Sequence, residues 1–351
     1  MDLAFKKEDI ENDKYKQILH EHHPVIKAMK NGKLIIFVGA GMSVHLGSPD
    51  WKGFANNYLD LIYKHRNITK MNFKTKESLK WEDTKKVLSL CKFITEKEMA
   101  PSYVEQAYKE WFRVTLEKVE KGRLYEKLYS LNSIYITTNY DNALDLLVEK
   151  ELRNSSVQAD DSEPYLNLDN NFKNKVFYKI EDVTPDDLNI GNVIHIHGSI
   201  KDIKSMVISN EDYIKQYSST HRKSLRNRKC EDFLKNVFNN DHTILFIGYG
   251  LAELEILQHL FNSNTNDYIT TNNRYMLLSC FSDDYFKVNY LYNYYKDNYG
   301  VEIIPYDLSE LGYEKLEEVL DYLVKMKSLA DESYEDTSLS LLEGVNLIDK
   351  I

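Results

Sequence analysis

The chain has 351 residues, 42% hydrophobic and 28% charged, with a formal net charge of −10. That length buries a sizeable core, in one large domain or two small ones. The acidic balance and the lack of a long basic stripe argue against a nucleic-acid-binding face, which needs clustered Lys and Arg; the basic stretch from His221 to Lys229 reads as a solvated loop or helix face.

In chain order, residues 8–30 are expected to be helical and to stop at Asn31-Gly32. His20, His22 and His23 then sit on a polar helix and read as solvated. Residues 34–38 are a continuous apolar run, the mark of a buried strand. This strand runs into Gly39-Ala40-Gly41-Met42-Ser43 and then Ser48-Pro49-Asp50-Trp51. A helix follows with Phe54, Tyr58, Leu61 and Ile62 on one face. Residues from about 68 to 130 read as an inserted helical module. Ile134 to Thr138 is the next strand, leading through Asn139-Tyr140-Asp141 into a helix with Leu144, Leu147 and Val148 on one face. Residues 153–174 read as a polar loop. Val193 to His197 is a third strand, Met206 to Ile208 a short one, and Ser209 opens a helix. Thr243 to Ile247 is a buried strand ending in Gly248-Tyr249-Gly250, before a helix with Leu254, Leu257 and Phe261. Tyr275 to Ser279 and Val301 to Ile304 complete the set. Strands alternating with helices predict an α/β, Rossmann-like parallel sheet with helices on both faces. An acidic linker over residues 330–337 leads to a segment with Leu339, Leu341, Leu342, Val345 and Leu347. Two readings compete for it, a docking helix or the start of a further domain in a longer protein.

Three cysteines, Cys91, Cys230 and Cys280, lie far apart without a CxxC pair, which argues for a reducing compartment and against a structural zinc site. The polar N-terminus does not read as a signal peptide, and no apolar run approaches a membrane span, so the expected location is the cytoplasm.

Ligands of open parallel sheets bind beyond the carboxyl ends of the strands. Four strand ends here carry residues that a purely structural sheet does not require: the Gly39–Ser43 turn, Asn139-Tyr140-Asp141, His197-Gly198 and Gly248-Tyr249-Gly250. Backbone N–H groups around Gly39 and Gly41 can face a pyrophosphate, or the glycines can simply make a tight turn. The GxGxxG fingerprint is incomplete, since Val44 replaces its third glycine, and no phosphate-loop GK[ST] is present. His195 and His197, two apart on a strand, are expected to face one side. Without further ligand spacing they do not make a metal site, and His197, nearest the strand end, is the better candidate base. Asn139 and Asp141 either cap the following helix or hold a ligand with an amide and ribose hydroxyls.

In this order and over roughly residues 30–310, these motifs resemble the sirtuin-like superfamily. The resemblance implies NAD as ligand. Gly39, Ala40, Gly41 and Ser43 would then cradle the pyrophosphate, Pro49, Asp50 and Trp51 would lie near nicotinamide, and Asn139 and Asp141 would hold its ribose and carboxamide. His197 would be the general base, and Gly248, Gly250 and Ser279 would approach the adenosine half. Residues 1–329 would form the catalytic domain. The four cysteines of the zinc module of deacylating sirtuins are lacking, and Lys52 replaces an arginine that often follows the Pro-Asp-aromatic motif. The Thr137–Asp141 and Gly248–Gly250 forms are similar to bacterial anti-phage effectors that cleave NAD as substrate, and this branch is the expected one. Control by homo-oligomerisation, a HerA-type ATPase or an appended sensor domain is implied in the same way. The competing readings are a protein deacylase or ADP-ribosyltransferase, and a non-catalytic subunit sensing NAD or ADP-ribose.

Overall fold

The apolar run Leu34–Val38 (β1) is fully buried because it is the central strand of a sheet covered on both faces. The computed structural model describes residues 3–158, 175–217, 225–239, 241–251, 253–264, 273–308, 312 and 314–329. The acidic linker and the amphipathic segment expected after residue 329 lie outside the described residues. Ile134–Thr137 (β2), Val176–Phe177 (β3), Val193–His195 (β4), Thr243–Ile247 (β5), Arg274–Cys280 (β6) and Glu302–Asp307 (β7) complete a seven-stranded sheet in the order β3-β4-β2-β1-β5-β6-β7. All its pairings are parallel. The expected α/β Rossmann-like fold is therefore correct.

Side-chain alternation along the strands splits the core in two. Leu34, Ile36 and Val38 of β1 join Leu245 and Ile247 of β5 beneath helices Pro24–Lys30, Leu124–Ser130 and Ala143–Gln158. Ile35 and Phe37 join Ile244 and Phe246 on the other face, beneath helices Leu225–Asn239, Leu254–Asn264 and Tyr285–Tyr299. Between β1 and β2 the chain forms the helix Trp51–Lys64 and six more helices from Arg66 to Ser130. Phe54 lies at the centre of that region. Its ring is 5.0 Å from Phe112, 5.7 Å from Tyr58 and 5.9 Å from Tyr140 at the end of β2.

Several elements differ from expectation. The helix expected over 8–30 is three short ones, Lys7–Glu11, Lys14–Ile18 and Pro24–Lys30. Asp13 takes a left-handed conformation (φ 53), and Pro24 has no amide to continue a preceding helix but fits the first position of a new one. His23 is consequently buried rather than solvated. Its Nδ1 accepts the Val25 N–H (3.3 Å), and burial pushes its pKa down to about 4. His20 and His22 are exposed, but in a turn. Residues 153–158, expected as loop, continue the helix Ala143–Gln158, while 159–174 lie outside the described residues. Met206 to Ile208 lies outside the sheet, and β3, at two residues, is too short to leave a periodic signal.

Packing of Phe54 against both Tyr140 and the helical region predicts that they unfold as one unit. Phe54→Ala is expected to cost about 3–5 kcal/mol, with a single urea transition shifted to a lower midpoint. Two separate transitions would show that the helices are an independent body.

Candidate active site

The order of the strands places the site. From β1 the chain crosses to β2 on one side, and after β4 it returns to β5 on the other, so the connections diverge at the carboxyl ends of β1 and β5. Such a divergence opens a crevice. Here two glycine turns meet. The Gly39 N–H donates to the Ile247 carbonyl and the Gly41 N–H to the Gly248 carbonyl, both at 2.9 Å. A Cβ on Gly39 would lie 2.5 Å from the Gly248 oxygen, and one on Gly248 (φ +62) would lie 2.6 Å from the Met42 nitrogen. These glycines are demanded by each other before any ligand is considered. The amides of Met42 and Ser43 also donate within the turn, to the Gly39 and Ala40 carbonyls. The bonds of the turn thus engage the amides on either side of Ala40, and the Ala40 N–H is not among them.

Asn139, just past β2, reaches across to this turn. Its Nδ2 donates to the Gly39 carbonyl (3.1 Å) and the Ser43 hydroxyl (3.1 Å). A carbonyl acceptor fixes which end of the amide carries nitrogen. The other end, Oδ1, is buried and has no hydrogen bond. Ser43 Oγ lies 2.6 Å from the hydroxyl of Tyr125, a fully buried residue of the helix Leu124–Ser130. Asp141 Oδ1 accepts the Ala143 N–H (3.1 Å) and so caps the next helix. Burial raises the pKa of Asp141, and the Ser43 hydroxyl works in the opposite direction.

The two strand histidines do not share partners. His195 joins Nδ1 to the Asn139 carbonyl (3.0 Å) and Nε2 to Asp145 (2.8 Å). A carbonyl and a carboxylate both accept, so both ring nitrogens carry protons. Burial alone would lower the His195 pKa, but Asp145 and the Asn139 carbonyl raise it further than burial lowers it. His195 therefore anchors the backbone that carries Asn139. His197 lies beyond the last residue of β4 and turns instead to the helix Asn210–Tyr217, its Nε2 2.8 Å from the Tyr217 hydroxyl and 3.3 Å from Glu253. Leaving the strand before Gly198 (φ 78) breaks the alternation that predicted a shared side. Among the described residues no three His, Cys, Asp or Glu side chains form a metal-binding group.

Ala40, Ser43, Pro49, Asp50, Trp51, Asn139 and Asp141 line one pocket, walled by Phe54, Phe112 and Tyr140, with space of ≈ 30 Å³, room for about one water. Ser48, also on its wall, has a buried hydroxyl without a hydrogen bond. Asp50 Oδ1 accepts the Gly53 N–H (2.6 Å), which caps the helix and fixes Trp51 at its first turn. Gly41, Gly248, Gly250 and Ser279 line a second cavity of ≈ 380 Å³. Ala40 and Gly41 are neighbours, so only the turn separates the two spaces. His197 lines neither. It is fully buried, its ring 5.2 Å from Tyr213, which in turn lies 6.3 Å from Trp51. The sequence alone did not single out Tyr125, Asp145, Tyr217 or Glu253. Only Glu253, three residues past Gly250 on the same strand end, carried a positional signal.

Residues 133–304 match the model of the SIR2-like domain. The chain is 25% identical over 236 residues to Defense-associated sirtuin 2 of Bacillus subtilis, a match covering 66% of this chain and 19% of that protein. The chain thus spans about a fifth of the length of the curated relative that it matches.

The two glycines of the second turn are predicted to respond differently. Gly248→Ala forces a left-handed alanine against backbone and is expected to cost more than about 1–2 kcal/mol. Gly250→Ala, whose Cβ would meet nothing within 4 Å, is expected to stay within about 0.5 kcal/mol of the parent. Equal denaturation midpoints for the two variants would contradict the interlocked turn.

Proposed function

We propose that this sirtuin-like chain cleaves NAD⁺ to nicotinamide and ADP-ribose, as a regulated effector of defence against phage. The reading rests above all on Asn139. Its amide nitrogen is tied to the Gly39 carbonyl and Ser43, and its buried oxygen is left without a partner on the wall of a pocket. A buried orphan acceptor is costly, and at such a position it fits a ligand hydroxyl or a reacting water. The cradle fits NAD in other respects. Backbone replaces side chain at Gly39, Gly41 and Gly248, and the larger cavity beside Gly250 and Ser279 suits the adenosine half.

NAD⁺ brings a cationic ring that leaves as neutral nicotinamide, so the ribose takes on positive charge in an oxocarbenium-like transition state. Asn139 Oδ1 orients the ribose hydroxyls or the attacking water. Trp51, Phe54, Phe112 and Tyr140 exclude bulk water, and their ring faces favour the developing cation. The Ala40 N–H and Ser43 approach the pyrophosphate. His197 takes the proton of the attacking water, a role suited to imidazole near neutral pH. Pocket space for about one water and the full burial of His197 fit a resting state that opens on a trigger. Assembly with further copies, a HerA-type ATPase or an appended sensor domain would supply that trigger. The defence role is supported by the relative named a defence-associated sirtuin.

Incubation with NAD⁺, followed by chromatography of nicotinamide and ADP-ribose, tests the reading. The intact protein with its trigger is expected to release both, and Asn139→Ala and His197→Ala to lose about 10²-fold or more in rate. Tight binding of NAD⁺ without release, with partners present, would replace cleavage by sensing. ADP-ribose recovered on an acceptor protein would make the chain a transferase.

A further inference from the structure

Two groups meet the His197 imidazole at Nε2. Its Nε2 lies 2.8 Å from the Tyr217 hydroxyl and 3.3 Å from Glu253 Oε2. Glu253 is 5% exposed, and its Oε2 makes no hydrogen bond. A buried carboxyl is expensive unless its neighbours use it, and the groups beside this one are the Tyr249 hydroxyl and the His197 imidazole. At 3.3 Å the carboxyl is within ion-pair reach of the imidazole. The helix Leu254–Asn264 begins one residue later and packs through Ile256 and Leu260.

We propose that Glu253 is a positioning residue for His197: it holds the Nε2–H, fixes the ring and its tautomer, and so makes Nδ1 the basic nitrogen presented to water. The inference rests on the NAD-cleavage reading for its purpose, though not for its geometry. A carboxylate on the far nitrogen stabilises the imidazolium as it forms and keeps the near nitrogen unprotonated in the resting state. Tyr217 alone cannot do this, since a hydroxyl can either donate or accept at Nε2 and leaves the tautomer open.

The surroundings shift the Glu253 carboxyl. Burial pushes the Glu253 carboxyl up to about 8, Lys85 pulls it down, Glu255 pushes it up and the Tyr249 hydroxyl beside it pulls it down. Lys85, on the helix Thr84–Glu98, is bound to Glu255 at 2.9 Å and lies 3.9 Å over the Tyr213 ring. Tyr140, Tyr213, Tyr217 and Tyr249 are all pushed up by burial and by the Glu253 charge, with Cys230 beside Tyr217. In the form competent as a base, one proton sits on Nε2, Glu253 is ionised and Nδ1 is unprotonated.

Two measurements on the intact chain test this, beside Glu253→Gln and Glu253→Asp. In ¹⁵N-histidine NMR, His197 of the parent is expected to show the Nε2–H tautomer above its midpoint. Glu253→Gln is expected to lower that midpoint by about one pH unit or more and to lose the tautomer bias, and Glu253→Asp to fall between. In NAD⁺ turnover, Glu253→Gln is expected to lose about 10²-fold in kcat with KM nearly unchanged, and its acid limb to move to lower pH. An unchanged His197 midpoint and tautomer in Glu253→Gln would overturn the proposal. Should the Gln variant not fold, the same titration of the Asp variant decides the question in the same way. An intact protein that never cleaves NAD⁺ would sink the proposed function while the NMR result still decides the role of Glu253.

Discussion

The close packing of two glycine turns at the carboxyl ends of β1 and β5 is the constraint on which the site depends. Gly39, Gly41 and Gly248 leave no room for a Cβ between them, and their amides and carbonyls bond across the gap. This lock fixes where β1 ends, which fixes the Gly39 carbonyl, and that carbonyl sets the direction of the Asn139 amide. The glycines therefore serve two ends. They lock the ends of β1 and β5 together, and under the proposed reading they also bring backbone rather than side chain to a phosphate.

Around this lock, residues from distant segments hold the amide nitrogen and the backbone carbonyl of Asn139. Tyr125 from the helical region meets Ser43 and Asn139 Nδ2, and His195 on β4 binds the Asn139 carbonyl while Asp145 secures the imidazole. The result is an amide with one end immobilised and the other uncommitted. Under the proposed reading, such preorganisation places the polar group before the ligand arrives and costs no reorganisation when charge develops. The His197 side is built differently. Tyr213, Tyr217 and Glu253 pack around that ring, and among the described residues Tyr213 lies between it and Trp51.

The strands and the ordered motifs at their ends were legible because each is a local signal: an apolar run followed by glycine, Asn-Tyr-Asp or His-Gly. What joins them was not. Tyr125 and Asp145 sit in ordinary amphipathic helices, and nothing in their neighbourhood distinguishes them from core or surface positions. Glu253 follows a glycine turn with a clear signal, yet it looks like a helix-start carboxylate. The left-handed Asp13 and the helix-starting Pro24 broke a helix whose periodicity alone was continuous. Strand alternation put His195 and His197 on one side, but the strand ends at His195, two residues short of His197, so the rule does not hold. In each case a contact between segments far apart in sequence, or a single backbone angle, overrode a periodic pattern.

If the chain works as proposed, Asn139 Oδ1 and His197 address one substrate across the pocket walled by Trp51 and Tyr140. The decisive measurement is a structure of the intact protein with a non-cleavable NAD⁺ analogue. The nicotinamide ribose is expected within hydrogen-bond distance of Asn139 Oδ1, the pyrophosphate against the Ala40 amide, and His197 Nδ1 facing the ribose carbon. An analogue seated wholly in the cavity beside Gly250 and Ser279, with Asn139 Oδ1 still unpartnered and His197 still enclosed, would refute that arrangement.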